Sequence, residues 1–139
     1  MPVATRSDFL LDEQLCFALH TASRAMTGCY RPLLDGIGLT YSQYAVMLVL
    51  WEHESVSLGT LCARLQLDTG TLSPLLKRLE AEGLVVKRRR AEDERTVQLT
   101  LTGRGRELRE EAAAIQARVQ EATGLGSADL ATLRADLQA

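Results

Sequence analysis

Residues 61–101 decide the fold, and they read LCARLQLDTGTLSPLLKRLEAEGLVVKRRRAEDERTVQLTL. Leucines recur at intervals of three and four through the first half of this stretch, which predicts two short helices with facing apolar stripes. The polar junction LDTGT between the helices carries Asp68, Thr69 and Thr71, any of which can cap a helix start. Gly83 is placed to end the second helix, and residues 85–90 and 96–101 are rich in β-branched residues, which favour strands. The stretch therefore predicts helix, turn, helix and a two-stranded hairpin.

This order of elements is typical of a winged helix-turn-helix, in which the second helix enters the major groove of DNA. Pro74 is expected in the first turn of that helix, where its missing N–H has no partner to lose, and its ring is placed to touch thymine methyls. The second helix, residues 69–82, contributes the candidate DNA contacts Thr69, Thr71, Ser73, Pro74, Lys77 and Arg78. The hairpin contributes arginines for phosphates or the minor groove, namely Arg88, Arg89, Arg90 and Arg95.

Basic charge is concentrated in this region although the whole chain is acidic. Between Lys77 and Arg95, seven basic side chains stand against five acidic ones, a local charge of +2 in a chain of net charge −2. A run such as KRRR, taken alone, is more typical of a solvated strand end. Its place beside a helix-turn-helix favours DNA contact, and the overall acidity argues against indiscriminate coating of nucleic acid. Double-stranded DNA is therefore the predicted partner, bound in a salt-sensitive manner.

Length and composition indicate one globular domain. The chain has 139 residues, of which 46% are hydrophobic and 24% charged, so it can bury a core of its own. No apolar run reaches the length of a membrane span and no signal-peptide pattern opens the chain, which predicts a cytoplasmic protein with no membrane partner. Three cysteines without a CxxC spacing and two histidines do not make a closed metal site. No cofactor is expected.

A long first helix is predicted from Leu10 to about Leu34, because its apolar residues fall close to a helical repeat. Asp12 and Glu13 are expected in its first turn, where the helix dipole favours acids. Pro32 is expected to kink or end the helix.

The remaining helices follow from their caps and apolar spacing. Thr40 or Ser42 is expected to cap a second helix that is apolar almost all round, which predicts a place in the middle of the core. Ser57 is expected to cap the next helix, after a short extended piece. Beyond the hairpin, one helix is predicted over residues 104–123, and Ser127 is expected to cap a last one.

These elements predict a single mainly α-helical domain, residues 1–139, with a small β-wing. Residues 42–101 are assigned to the winged helix-turn-helix. The flanking helices, in residues 10–35 and 104–139, have apolar faces of their own, and these suit the interface of a homodimer that reads two half-sites. A monomer that folds the outer helices back on its own core is the alternative.

The order of elements resembles the MarR family of bacterial repressors over nearly the whole chain. Residues 67–105, LDTGTLSPLLKRLEAEGLVVKRRRAEDERTVQLTLTGRG, look like the recognition helix and wing of that family. The resemblance implies that Asp93 braces Arg95, which enters the minor groove. Residues 11–54, LDEQLCFALHTASRAMTGCYRPLLDGIGLTYSQYAVMLVLWEHE, are similar to the organic-hydroperoxide-sensing branch known as OhrR.

In that branch the cysteine of the LCFA sequence reacts with peroxide, and two tyrosines reach it from the other subunit. The resemblance assigns these roles to Cys16, Tyr30 and Tyr41. The residue types suit the chemistry, because a thiolate attacks peroxide and both a helix start and tyrosine hydroxyls stabilise a thiolate. The branch often has a tyrosine one turn after the cysteine, and this chain has His20 at that position. A protonated His20 that stabilises the thiolate and a His20 that only fills space both remain open.

The other cysteines are interpreted as inert packing residues. Cys16 and Cys29 lie thirteen residues apart on one predicted helix, about 20 Å, so they cannot form an intrachain disulfide. Some members of the branch use a second cysteine near the C-terminal helices, but this chain has none after Cys62. It therefore resembles the one-cysteine type, whose sulfenic acid is capped by a low-molecular-weight thiol.

The predicted function is a homodimeric repressor that binds a palindromic operator and releases it when an organic hydroperoxide oxidises Cys16. One alternative is a repressor that is released by reversible binding of a phenolic or other apolar ligand. Another is a thiol peroxidase that turns over its substrate. Against the peroxidase stand the lack of an obvious resolving cysteine and the complete DNA-reading unit, so the protein is predicted not to be an enzyme.

Overall fold

Six α-helices and a three-stranded antiparallel sheet build the part of the chain that the computed structural model describes, residues 9–89 and 96–139. The strand order is β1-β3-β2, so the predicted hairpin gains a third strand from the segment after α2. This architecture confirms the predicted fold class, mainly helical with a small β-wing. In chain order the elements are α1 (Leu15–Asp35), α2 (Tyr41–His53), β1 (Ser55–Ser57), α3 (Leu58–Leu65), α4 (Thr69–Ala81), β2 (Val85–Arg89), β3 (Val97–Leu101), α5 (Gly103–Ala122) and α6 (Ser127–Gln138).

The first helix begins later than the sequence predicted. Leu11–Glu13 form a single 3-10 turn, which holds the two acidic residues expected in the first turn of the helix. Gln14 then has an extended backbone, with φ −89° and ψ 121°, and it interrupts the helix before α1 starts at Leu15. Cys16 is consequently the second residue of α1.

Pro32 does not end α1, which continues to Asp35. Pro32 lies in the last turn, where its missing N–H removes one backbone hydrogen bond and only three helical residues follow it. The actual end is set three residues later, where the backbone N–H groups of Ile37 and Leu39 both donate to the Leu34 carbonyl at 3.0 and 3.1 Å.

α2 lies in the middle of the core, as its apolar sequence predicted. It starts with a capping box, in which Thr40 Oγ1 accepts a hydrogen bond from the Gln43 backbone N–H at 3.2 Å. Gln43 Oε1 in turn accepts from the Thr40 N–H at 2.9 Å. The buried residues of the helix are Gln43, Tyr44, Val46, Met47, Val49 and Leu50.

We expect Thr40→Ala to lower the free energy of unfolding by about 1 kcal/mol, because it leaves an N–H at the start of α2 without its acceptor. In a domain of this size that loss corresponds to a fall in Tm of about 4 °C. Thermal unfolding by circular dichroism at fixed protein concentration measures it. Thr40→Ser keeps the hydroxyl acceptor and should match the wild type, so an equal loss in both variants would contradict this role.

The winged helix-turn-helix is assembled on α2. Ser57 caps α3 by accepting from the Thr60 N–H at 3.1 Å, as the sequence predicted. In the wing, β2 and β3 pair from Val85 opposite Leu101 to Arg89 opposite Val97. The helices and strands of this unit are held to the core by the buried side chains Leu61, Leu72, Leu76, Leu79, Val85, Leu99 and Leu101.

The outer helices are only partly covered within one protomer. α5 packs on the core through Ala112, Ile115 and Val119, whereas α6 has no buried residue and α1 buries only Tyr30 and Leu34. Ser127 is the first residue of α6 rather than its cap, which is Gly126. Among the described residues no helix is long and apolar enough to cross a membrane. The large apolar side chains left exposed on these outer segments are Phe9, Leu10, Leu11, Leu15, Leu19, Met26, Leu125, Leu133 and Leu137.

Candidate functional site

The helix that the sequence assigned to base reading, α4, starts at a defined cap. Asp68 Oδ1 accepts from the Thr71 N–H at 2.7 Å. Pro74 is the sixth residue of α4 and not part of its first turn, so the prediction about its position was wrong by one turn. A residue with an N–H at this position would pair with the Gly70 carbonyl, so the helix lacks that one backbone hydrogen bond and continues to Ala81.

The predicted contacts on α4 are not equally accessible. Ser73 is half-buried, and its hydroxyl donates to the Thr69 carbonyl at 2.8 Å, so it offers lone pairs but no free proton. The Thr69 side chain is exposed, with its hydroxyl 3.8 Å from Cys62 Sγ. The remaining predicted contacts on this helix are all exposed: Thr71, Pro74, Lys77 and Arg78.

β2 adds a basic edge to this surface. The predicted contacts Arg88 and Arg89 are exposed, and so is Lys87, which was not among the predicted contacts. Lys87 and Lys77 line one groove of about 530 Å³ beside Ser73. The signal that would have found Lys87 is its place at the start of the run KRRR, directly after two buried or half-buried valines. Three further predicted contacts lie outside the described residues, namely Arg90, Asp93 and Arg95.

Arg64 ties the helix-turn-helix to the central helix. Its guanidinium donates to Glu52 Oε2 at 2.9 Å and to His53 Nε2 at 3.0 Å. The hydrogen bond from Arg64 lowers the pKa of the Glu52 carboxyl, which stays charged at neutral pH. Since all three side chains are well exposed, the pair contributes little stability. Its effect is to fix the end of α2 against α3.

Asp68→Ala is expected to destabilise the protein at neutral pH and not at acid pH. The Thr71 backbone N–H lowers the pKa of the Asp68 carboxyl. The charged carboxyl therefore stabilises the protein at pH values above its unfolded-state pKa of about 3.9. This contribution is lost as the pH falls through the lower pKa of the folded state. Urea unfolding of wild type and variant at pH 7 and at about pH 2.5 measures it. A deficit of the same size at both pH values would contradict the role of the charged cap.

Cys16, the second residue of α1, is exposed. The start of a helix carries partial positive charge, which favours an anion such as a thiolate. His20 is exposed one turn later on the same helix. Cys29 and Cys62 are half-buried and pack against the core, as the sequence predicted for residues that only pack. Cys16 is thus the cysteine most open to a substrate.

Three tyrosines cluster where α1 meets α2. The ring centroid of Tyr30 lies 5.5 Å from that of Tyr41 and 5.3 Å from that of Tyr44. Burial raises the pKa of both Tyr30 and Tyr44, so their hydroxyls keep their protons at neutral pH. Tyr41 is 45% exposed. Tyr44 was missed in the sequence because it lies in an apolar run, although its spacing of three from Tyr41 was a signal.

Cys16 does not meet these tyrosines within one protomer. Cys16 and Tyr30 lie fourteen residues apart on α1, which is about 21 Å along a helix. The structure therefore brings the two predicted tyrosines together, adds Tyr44 to them, and leaves the cysteine and His20 toward the other end of the helix.

Comparison with known proteins identifies the family. A sequence profile described as transcriptional regulator SarA/Rot matches residues 29–112. The organic hydroperoxide resistance transcriptional regulator of Bacillus subtilis (strain 168) is 43% identical over 127 residues, which cover 91% of this chain and 86% of that protein. The chain belongs to the MarR/SarA family of transcriptional regulators.

Solved MarR/SarA-type structures agree with the fold. One is the DNA-bound structure of reduced AbfR, a protein of Staphylococcus epidermidis. It superposes with a TM-score of 0.76 at 34% identity, and the match covers 92% of this chain and 89% of the AbfR chain. The same regulator has also been solved overoxidized and bound to DNA. CouR from Rhodococcus jostii RHA1 bound to p-coumaroyl-CoA has a TM-score of 0.84 at 26% identity, with 94% and 93% covered.

Membership of the MarR/SarA family decides between the classes of function. The family consists of DNA-binding transcriptional regulators and not of enzymes, which removes the thiol-peroxidase alternative. Within residues 9–89 and 96–139, no three His, Cys, Asp or Glu side chains are grouped to hold a metal ion.

Proposed function

We propose that this MarR/SarA regulator is a homodimeric repressor that releases its operator when an organic hydroperoxide oxidises Cys16. The observation that carries the proposal is the separation of the exposed thiol from its tyrosines. Cys16 lies at one end of α1 and Tyr30 at the other, about 21 Å away. A second copy with its α1 antiparallel would set each cysteine against the tyrosines of the other. The redox site is then complete only in the dimer.

The uncovered apolar side chains of the outer helices support this dimer. Leu15 is 72% exposed and Leu19 41% exposed, and they flank Cys16 on α1. On α6, Leu133 and Leu137 are 49% and 55% exposed. Large apolar side chains exposed in such numbers mark surfaces that a partner covers, and a two-fold axis would cover both copies with the same residues.

The tyrosines supply what the thiolate needs. Tyr30 keeps its proton because burial raises its pKa, so its O–H is available as a donor. Tyr41 is exposed, with its ring centroid 5.5 Å from that of Tyr30, and would be a second donor. In the dimer these two hydroxyls, with His20 of the cysteine's own helix, would stabilise the Cys16 thiolate. The apolar surroundings of Cys16 suit the organic part of the hydroperoxide.

The reaction transfers one oxygen atom. The Cys16 thiolate attacks the outer peroxide oxygen, the O–O bond breaks, and the alkoxide takes a proton and leaves as the alcohol. Cys16 is oxidised to the sulfenic acid and the hydroperoxide is reduced. A low-molecular-weight thiol then condenses with the sulfenic acid to a mixed disulfide and water. Either product adds bulk and removes the negative charge that the tyrosines hydrogen-bonded.

DNA binding uses α4 and the wing. The exposed side chains Thr71, Pro74 and Arg78 would meet base edges in the major groove, and Lys77 and Lys87 the flanking phosphates. Two α4 helices in one dimer must sit one helical turn of DNA apart, about 34 Å, to read a palindromic operator. A shift of the dimer helices that changes this spacing releases the DNA. A regulator of this kind acts in the cytoplasm, on the chromosome.

Mixed dimers test whether the site is shared between protomers. One dimer combines a Cys16→Ser protomer with a Tyr30→Phe/Tyr41→Phe protomer. It keeps one complete site if cysteine and tyrosines come from different protomers, and none if they come from the same one. The matched dimer combines a wild-type protomer with one that carries all three substitutions. It keeps no complete site if cysteine and tyrosines come from different protomers, and one if they come from the same protomer. Differently tagged protomers allow each mixed dimer to be purified.

The readout is the rate of Cys16 sulfenic acid formation with one equivalent of cumene hydroperoxide. We expect fast oxidation in the first mixed dimer and slow oxidation in the matched one. The opposite ranking would contradict the shared site. One equivalent is used because overoxidation forms other products, and the relative AbfR has been solved bound to DNA in an overoxidized form.

A groove favours a second candidate, release by reversible binding of an apolar ligand. It has a volume of about 320 Å³ between α2 and α5, and its lining includes Leu48, Trp51, Glu52 and Arg109. Apolar and aromatic side chains beside one carboxylate and one cation suit an aromatic ligand with a polar substituent, such as a phenol. This second candidate predicts release by the ligand alone, with Cys16 reduced throughout.

A further inference from the structure

Trp51 connects the tyrosine cluster to the DNA-reading part of the protein. It lies in the last turn of α2, two turns after Tyr44, and the two rings meet edge-on with centroids 6.3 Å apart. The indole Nε1–H donates to the Gly105 carbonyl at the start of α5, at 2.8 Å. The half-buried indole is thus held by two contacts, one with the Tyr44 ring and one through its N–H. Its position therefore depends on Tyr44 on one side and on α5 on the other.

The start of α5 has no room to move by itself. Gly105 is buried, and a methyl group on it would collide with the Leu84 carbonyl oxygen. The neighbouring Thr102 donates from its backbone N–H to the same Leu84 oxygen at 3.1 Å and from its hydroxyl to the Gly83 carbonyl at 2.6 Å. Gly83 and Leu84 form the turn that joins α4 to β2. A displacement of Gly105 must therefore displace the turn between the recognition helix and the wing.

A second connection holds the same junction. The Glu54 carboxylate pairs with the Arg106 guanidinium of α5, and the Glu54 carbonyl accepts from the Leu101 N–H of β3 at 3.0 Å. Glu54 follows α2 with a positive φ of 62°, a backbone conformation that non-glycine residues rarely adopt. The end of α2, the end of β3 and the start of α5 are thus linked as one unit, with Trp51 as its contact to the tyrosines.

We propose that Trp51 is the positioning residue through which oxidation at Cys16 reaches the DNA-reading elements. The inference rests on the proposed redox function. When the modified Cys16 of one protomer displaces Tyr30 and Tyr41 of the other, Tyr44 moves with them because all three rings are in contact. Trp51 transfers this displacement to Gly105, and Gly105 transfers it to the α4–β2 turn. The junction would then have one arrangement in the DNA-bound form and another in the released form.

The test compares wild type with Trp51→Phe, which keeps an aromatic ring beside Tyr44 and removes the N–H. The dissociation constant for operator DNA is measured in the reduced form and after oxidation by one equivalent of cumene hydroperoxide, with Cys16 oxidation followed by mass spectrometry. We expect Trp51→Phe to oxidise at the wild-type rate and to bind DNA normally when reduced. The ratio of oxidised to reduced dissociation constants should fall by about fivefold or more.

Val49→Ala is the matched control, because Val49 is buried on the same helix and belongs neither to the hydrogen bond nor to the ring contact of Trp51. This variant is expected to lose thermal stability and to keep the wild-type ratio. A wild-type ratio in Trp51→Phe would overturn the inference while leaving the redox function intact. Failure of the wild type itself to release DNA after Cys16 oxidation would instead overturn the proposed function.

A measurement on the unmutated protein keeps the inference testable if Trp51→Phe folds poorly. Trp51 is the single tryptophan of the chain, so its fluorescence reports this junction alone. We expect the emission of the wild type to change on oxidation with the same time course as DNA release, and that of Cys16→Ser to stay constant. Constant emission during release of DNA by the wild type would overturn the inference.

Discussion

Cys16→Ser is expected to bind operator DNA with wild-type affinity and to keep binding it after one equivalent of organic hydroperoxide. The serine hydroxyl is not a nucleophile for peroxide at neutral pH, whereas it is close to cysteine in size, so the dimer and α4 keep their positions. In the wild type, oxidation should weaken DNA binding by about tenfold to a hundredfold, the range of a strong allosteric coupling. Fluorescence anisotropy of a labelled operator, before and after treatment, measures both values.

Cys62→Ser is the matched control for this experiment. Cys62 is half-buried in the middle of α3, with its sulfur 3.8 Å from the Thr69 hydroxyl at the start of the recognition helix. Its replacement should leave the response to hydroperoxide intact. Loss of the response in Cys62→Ser together with its persistence in Cys16→Ser would move the sensor to the DNA-reading unit and contradict the assignment of Cys16.

The second large effect is expected from the double variant Lys77→Ala/Lys87→Ala. If each protomer neutralises about four phosphates, the slope of log affinity against log salt for the dimer is on the order of −7. The variant removes two lysines in each protomer, so the slope should flatten to about −3.5. Binding at low salt should weaken for operator and unrelated DNA alike, because phosphate contacts carry no sequence information.

Arg118→Ala serves as the control for charge. Arg118 is exposed on α5, outside the helix-turn-helix and wing, and its removal takes away one positive charge per protomer without touching the groove of Lys77 and Lys87. Its salt slope should equal that of the wild type. A slope that is unchanged in the lysine variant would show that the groove between α4 and β2 does not face DNA.

The sequence was most informative where local chemistry determines structure. Asp68 and Ser57 are helix caps whose geometry depends only on residues three positions away, so their roles could be predicted and were confirmed. The same holds for Gly83, whose positive φ of 75° ends α4 before β2. Because these signals follow one another without a gap, the helix-turn-helix and the wing strands were placed to within one or two residues.

Predictions failed where the local sequence carried no signal for the structure that forms. Nothing in the residues around Gln14 signals a helix break, yet its extended backbone delays α1 and brings Cys16 closer to the helix start. Tyr44 reads as one more core residue until its ring is found beside Tyr30, a contact between different helices. The approach of Tyr30 and Tyr41 to Cys16 of another protomer stays a prediction from the family resemblance, because helical spacing shows only that Cys16 and Tyr30 are far apart within one protomer.

The most direct test of the central claim follows Cys16 and DNA in the same sample. A labelled operator from the gene's own upstream region is mixed with the wild-type dimer and titrated with organic hydroperoxide below one equivalent. Anisotropy gives the fraction of DNA released, and mass spectrometry of quenched aliquots gives the fraction of Cys16 oxidised. The proposed function predicts that the two fractions rise together. Full oxidation of Cys16 with the DNA still bound, or release with Cys16 still reduced, would contradict it.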